Sequence, residues 1–181
     1  MRNKGIGGHT LANNGRHELW LTPPQIITLL GEFDLDPCAC PEPRPWPTAK
    51  RHIALPGDGL AAEWSGRVFL NPPYGTKTAT WLRRMAEHRN GIALIFARTE
   101  TECWTQWIWP VADSVLFLSG RLFFYLPDGS RGPHNAGGPS AIIAYTIEDT
   151  AALVKSGIAG ALVRRIDQDA PLFNLPKGAT P

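Results

Sequence analysis

Apolar residues in this chain come in short blocks, set apart by polar, proline-rich or glycine-rich segments, and the period inside each block predicts its element. Residues 25–31 (QIITLLG) follow Thr22-Pro23-Pro24 and read as a short helix, with Thr22 as its cap, Pro23 in the first helical position and Gly31 as its end. Residues 33–39 (FDLDPCA) read as a strand. Residues 40–52 carry too many prolines for a helix or a central strand and are expected to form an ordered surface loop. Residues 67–71 (RVFLN) predict a short strand, residues 76–90 a helix with Trp81, Leu82 and Met85 on one face, and residues 91–97 (GIALIFA) a strand buried on both faces. Thr99 with Glu102 three positions on has the form of a capping box opening a helix over residues 101–109. Residues 114–120, 121–126 and 140–146 read as further strands, and residues 147–157 as a last helix ahead of residues 160–166 (GALVRRI).

Strands alternating with helices predict an α/β sandwich with a mainly parallel central sheet flanked by helices. No internal repeat interrupts it. A length of 181 residues fits a single domain, expected over residues 19–166, between a flexible N-terminal segment (1–18) and a C-terminal tail (167–181). Composition narrows the class: 43% hydrophobic and 19% charged residues supply a sizeable core and exclude a disordered tail or a coiled coil. A net charge of +2 is too mild for a polybasic nucleic-acid arm, so charge alone names no partner. No apolar run is long enough to span a membrane, and the first residues lack the apolar stretch of a signal peptide, so a cytoplasmic location is expected. Cys38, Cys40 and Cys103 are an odd count without a second ligand pair at finger-like spacing, and they read as thiols, with no metal site.

The sharpest chemical feature is Asn71-Pro72-Pro73-Tyr74-Gly75, directly after a predicted buried strand. A given four-letter word with two prolines turns up by chance in such a chain at odds on the order of 1 in 1,000 or less. In open α/β sheets ligands gather beyond the carboxyl ends of strands, where this turn lies. Its prolines stiffen the backbone, so that the side-chain oxygen of Asn71 and the carbonyl of Pro72 can converge on one planar amine while Tyr74 stacks on the ring that carries it. Two acceptors on such an amine favour pyramidal geometry and ready it for attack on an electrophilic methyl. The alternative reading of the motif is a rigid turn with a packed tyrosine.

Asn-Pro-Pro-Tyr resembles the catalytic motif of S-adenosylmethionine-dependent amino methyltransferases. Together with Trp20-Leu21-Thr22-Pro23-Pro24, Phe33-Asp34-Leu35-Asp36-Pro37-Cys38-Ala39, Asp58-Gly59-Leu60, Trp64 and Gly120-Arg121-Leu122-Phe123-Phe124, it is similar to the phage-type DNA N-6-adenine methyltransferase (Dam-like) family over roughly residues 18–146. The resemblance implies a Rossmann-like methyltransferase sandwich acting in a bacterial host cytoplasm, with S-adenosylmethionine as cofactor and methyl transfer to the N-6 amine of adenine in DNA. It implies catalytic roles for Asn71, Pro72, Pro73 and Tyr74, and cofactor binding by Thr22, Pro23, Asp36, Pro37, Cys38, Ala39, Asp58, Gly59 and Asn71. Asp58 resembles the carboxylate that receives the amino group of the cofactor's adenine; Asp36 would take an ammonium or ribose hydroxyl. Either aspartate has turn capping as its alternative. The chain departs from the usual pattern where Pro37-Cys38-Ala39-Cys40 replaces the Gly-x-Gly loop, and only Glu42 offers a carboxylate for the ribose.

A base amine inside a duplex is out of reach, so the implied chemistry requires a flipped adenine. Lys77, Arg121, Arg131 and His134 are the candidate nucleic-acid contacts, with Arg83 and Arg84 as further candidates for the phosphates, and the polar loop 127–139 is expected to be flexible and to meet DNA. Each of these contacts has a solvated surface charge as its alternative. Trp81, Trp104, Trp107 and Trp109 fall on predicted helices and read as core, while Trp20 and Trp46 flank the cofactor segments. Two rival functions remain open: methylation of another planar amine (cytosine N-4, an RNA base or a protein glutamine), and a non-catalytic nucleic-acid-binding module on the same fold.

Overall fold

The computed structural model describes residues 19–165, so the expected N-terminal segment and C-terminal tail lie outside the described residues. In chain order the elements are α1 (Pro24–Leu30), β1 (Leu35–Asp36), β2 (Arg51–His52), β3 (Val68–Leu70), α2 (Thr78–His88), β4 (Gly91–Phe96), α3 (Glu102–Trp107), β5 (Ser114–Leu118), β6 (Ser140–Ala144), α4 (Ile147–Ser156) and β7 (Gly160–Arg164). The strands form one seven-stranded sheet in the order β2-β1-β3-β4-β6-β5-β7.

The sheet is mixed, which corrects the expectation of a mainly parallel one. The pairs β2-β1, β1-β3 and β3-β4 are parallel but short, whereas the longer ladders β4-β6, β6-β5 and β5-β7 are antiparallel. Residues 141–144 are an unbroken apolar run because β6 is buried on both faces, and a strand so placed looks the same in sequence whichever way it runs.

Side chains alternate across the sheet into two cores. On one face Val68, Leu70, Ala93, Ile95, Val115 and Ile143 pack with Trp81, Leu82 and Met85 of α2 and Trp104 of α3. On the other, Phe69, Ile92, Leu94, Leu116 and Ile142 pack with Ile26, Ile27 and Leu30 of α1 and Leu153 of α4. The result is a helix-sheet-helix sandwich.

Several local expectations are corrected. Thr22 does not cap α1: a residue before proline is pushed out of the helical region, so Pro23 is extended (φ −51°, ψ 131°), takes the cap position itself, and leaves Pro24 to start the helix. Thr99 does not open α3 either; Thr101 is the extended residue at its start, with its hydroxyl donating to the Arg98 carbonyl, and the helix stops before Trp109. Residues 121–126 form no sheet strand, because β5 already has β6 and β7 on its two edges. They run instead as a separate ribbon that bridges Leu21 and Arg131 through Tyr125, with Phe124 buried beneath it.

The buried ion pair of Arg67 and Asp149 ties the two ends of the fold together. Arg67 donates from Nε to Asp149 (2.7 Å) and from Nη1 to the carbonyls of Leu30 and Glu32 (both 2.9 Å), while lying over the Phe33 ring. Asp149 is fully buried, and its other oxygen accepts from the Gly91 amide and the Thr146 hydroxyl. Removing one partner strands a buried charge, so Arg67→Met is expected to cost about 3–5 kcal/mol in urea unfolding, far more than loss of the exposed Arg83–Glu87 pair, for which about 0.5 kcal/mol is expected.

Candidate active site

β1 and β3 are adjacent and parallel, so Asp36, the last residue of β1, and Asn71, the first after β3, leave the sheet at the same edge. Beyond this edge lies a cleft of about 650 Å³, its open mouth included. Its walls are residues 19–22, the start of the proline-rich loop and residues 71–74. The structure therefore brings together Thr22, Asp36, Cys38, Ala39, Asn71, Pro72, Pro73 and Tyr74, eight of the residues singled out from sequence.

Asp36 is buried, with one oxygen accepting the Cys38 amide (3.0 Å) and the other the Thr48 hydroxyl. Burial pushes its carboxyl up from 3.8 to about 6, against the pull of these hydrogen bonds and of Arg44. Thr48 is in turn positioned by His52, whose Nε2 accepts the amides of Thr48 and Ala49. Burial lowers the His52 imidazole, which keeps it neutral and able to accept.

Asn71 donates its side-chain amide to the Trp20 carbonyl (2.9 Å), which commits Oδ1 as an acceptor. That oxygen is buried without a partner, and so are the hydroxyls of Thr22 and Tyr74. Buried polar atoms ordinarily have partners, so three unpaired ones on a single cleft mark a place for a polar ligand. The Tyr74 ring stacks on Phe96 (4.2 Å between centroids) and meets the edge of Phe124 (6.3 Å). Burial raises the phenol well above its ordinary value, so it stays protonated. The Cys38 thiol donates to the Asn71 carbonyl (3.2 Å), linking the ends of β1 and β3, and burial holds it as a thiol.

A family model described as DNA N-6-adenine-methyltransferase (Dam) matches residues 9–157, which takes in the cleft and the whole sheet up to α4. The chain belongs to the Dam family. Membership implies DNA adenine N-6 methylation in general terms, with DNA as substrate and the S-adenosylmethionine use general to methyltransferases. No curated protein and no solved structure matches the chain.

Other Dam-related candidates fall outside the cleft. Asp58 is exposed and its Oδ1 accepts the amides of Leu60 and Ala61, as in a turn cap. Gly59 lies against the wall from behind: a Cβ there would come within 1.7 Å of the Pro37 carbonyl oxygen. Glu42 is exposed and paired with Arg44. Pro23 takes the cap position of α1, just past Thr22. Lys77 is exposed at the start of α2; Arg121 donates to the Ala136 carbonyl, Arg131 covers the Phe123 ring, and His134 is exposed. Arg83 and Arg84 lie over Trp107 and Trp64. Sequence reasoning missed Arg44 and Thr48, although the many prolines of residues 40–52 had marked that loop. Trp20 and Trp46 both line the cleft. Among the described residues no group of His, Cys, Asp and Glu forms a metal site, and no helix is long and apolar enough to cross a membrane.

An aspartate whose carboxyl is raised on folding weakens the fold where it is charged. Wild-type stability should fall as pH rises from about 4 to about 6, and the gap between 3.8 and about 6 corresponds to ~3 kcal/mol. Asp36→Asn keeps the shape and removes the charge. Thermal unfolding across pH should show the variant at least as stable as wild type above pH 6, without that decline.

Proposed function

We propose that the chain transfers a methyl group from S-adenosylmethionine to the N-6 amine of an adenine flipped out of DNA, with Asn71 as the residue that readies the amine. We read the sandwich as the Rossmann-like methyltransferase fold. The observation that carries the proposal is the unpartnered Oδ1 of Asn71, oriented by Trp20 at the carboxyl edge of the sheet.

The donor set fits the cofactor. Asp36 offers a buried carboxylate to an ammonium or ribose hydroxyl, Thr22 an unpaired hydroxyl, and Arg44 a guanidinium to a carboxylate. Cys38 and Ala39 line the cleft between them, Pro37 carries the chain from Asp36 to Cys38 outside that lining, and Pro23 fixes the direction of Thr22. Gly59 lets the Asp58 turn close on Pro37, and Asp58 is the proposed partner of the cofactor's adenine. When bound, the cofactor supplies an electrophilic methyl on sulfur.

Asn71 Oδ1 and the Pro72 carbonyl accept the two hydrogens of the target amine, drawing its lone pair out of the ring, and Pro73 keeps the turn rigid. Tyr74 contributes an aromatic surface for the base, worth about 1–3 kcal/mol for such stacking. Phe96 and Phe124 hold its ring in place. Lys77, Arg121, Arg131 and His134 are the proposed contacts to DNA, with recognition carried by loops such as 127–139.

Asn71→Ala is expected to lower turnover on the order of 10²-fold while cofactor affinity by calorimetry changes little. Wild-type turnover in this variant would remove Asn71 from the chemistry; loss of cofactor binding alone would make it a binding residue.

A further inference from the structure

Asn71 can serve as an acceptor only while its amide nitrogen is engaged elsewhere, and the group that engages it is a backbone carbonyl, that of Trp20. What holds Trp20 there is not the sheet. Leu21, the next residue, pairs antiparallel with Tyr125, amide to carbonyl in both directions (2.8 and 2.9 Å). Tyr125 belongs to a small hairpin closed by hydrogen bonds from Leu126 to Ser130 and from Gly132 to Phe124 (both 2.8 Å).

This hairpin is braced on every side. Its Tyr125 ring meets Trp46 edge-on at 5.3 Å, Gly129 lies against Pro45 and Trp46, and Arg131 covers Phe123 at 3.8 Å. Gly132 packs so closely that a Cβ there would stand 2.8 Å from the Phe124 carbonyl oxygen and 3.1 Å from the Trp20 ring. Phe124, on the same ribbon, meets the edge of the Tyr74 ring. One hairpin thus meets Tyr74 directly and reaches Asn71 through Leu21 and Trp20, yet contributes no side chain to the cleft.

We propose that the hairpin of residues 122–132 is a positioning element for the reaction, holding the Trp20 carbonyl on the Asn71 amide so that Oδ1 faces the target amine. It rests on the reading of Asn71 given above. Gly132 is the residue through which it acts most directly, because a side chain there clashes with the Phe124 carbonyl across the hairpin and crowds the Trp20 ring. The loss that runs through Asn71 should therefore appear in kcat and vanish when Asn71 is absent, whereas a loss of DNA contact from residues 127–132 appears in KM in both backgrounds.

The test is a double-mutant cycle of Gly132→Ala and Asn71→Ala, with kcat, KM for DNA and cofactor affinity measured for each protein. Gly132→Ala alone is expected to lower kcat about tenfold, and a loss of phosphate contact beside it at Arg131 is read separately, in KM for DNA. In the Asn71→Ala background the same change should cost less than about twofold, because the amide it positions is gone. Val154→Ala, at an exposed position on α4 away from both hairpin and cleft, should leave all three quantities unchanged. Equal losses in both backgrounds, or a change in KM alone, would overturn the proposal. If Gly132→Ala does not yield folded protein, Gly129→Ala takes its place in the cycle: its φ of +84° and the 3.0 Å approach to Pro45 also loosen the hairpin, and the same outcomes decide. Full turnover in Asn71→Ala would instead defeat the reading of Asn71 itself, so the two failures are distinct.

Discussion

Everything at the cleft depends on β1 and β3 ending side by side, and remarkably little hydrogen bonding in the sheet secures that adjacency. β1 is two residues long and meets β3 at a single register pair, Leu35 with Val68. Packing supplies the rest. Leu35 and Val68 are fully buried, the Gly59 backbone closes on Pro37, and the Cys38 thiol reaches across to the Asn71 carbonyl. These contacts set the spacing of a carboxylate and an amide oxygen that come from residues 35 positions apart in sequence, Asp36 and Asn71. Misplacing either by an ångström would spoil a geometry in which orientation supplies much of the rate.

The cleft also shows what a fold gives up for function. Asp36 keeps a charge in a buried place that raises its carboxyl to about 6, and Thr22, Asn71 and Tyr74 each leave a buried polar atom unpaired. A sequence selected for stability alone would replace such groups with apolar ones. Their gathering at the carboxyl edge of the sheet, within the span of the Dam family match, is the physical pattern expected of a binding site.

Part of this was legible in the sequence. The apolar period of residues 76–90 and the buried run of 91–97 specify a helix and a strand locally, and α2 and β4 form within those bounds, while Asn71 directly follows β3. Strand direction was not legible, since a strand buried on both faces has no preferred sense. Nor was the fate of residues 121–126, whose aromatic run reads as a strand but finds both edges of β5 taken. Thr22 illustrates a subtler limit. Its hydroxyl suits a helix cap, but the second proline moves the helix start and leaves that hydroxyl facing the cleft. The contacts that position Asn71 are long-range, from Trp20 and Tyr125, and no local pattern announces them.

The most direct measurement incubates the protein with duplex DNA and S-adenosylmethionine carrying a labelled methyl group, then digests the DNA to nucleosides and identifies the labelled product. The account requires the label in N-6-methyladenosine of the deoxy series. Label in N-4-methylcytosine, in RNA or in protein, or no transfer by protein that binds the cofactor, would contradict it.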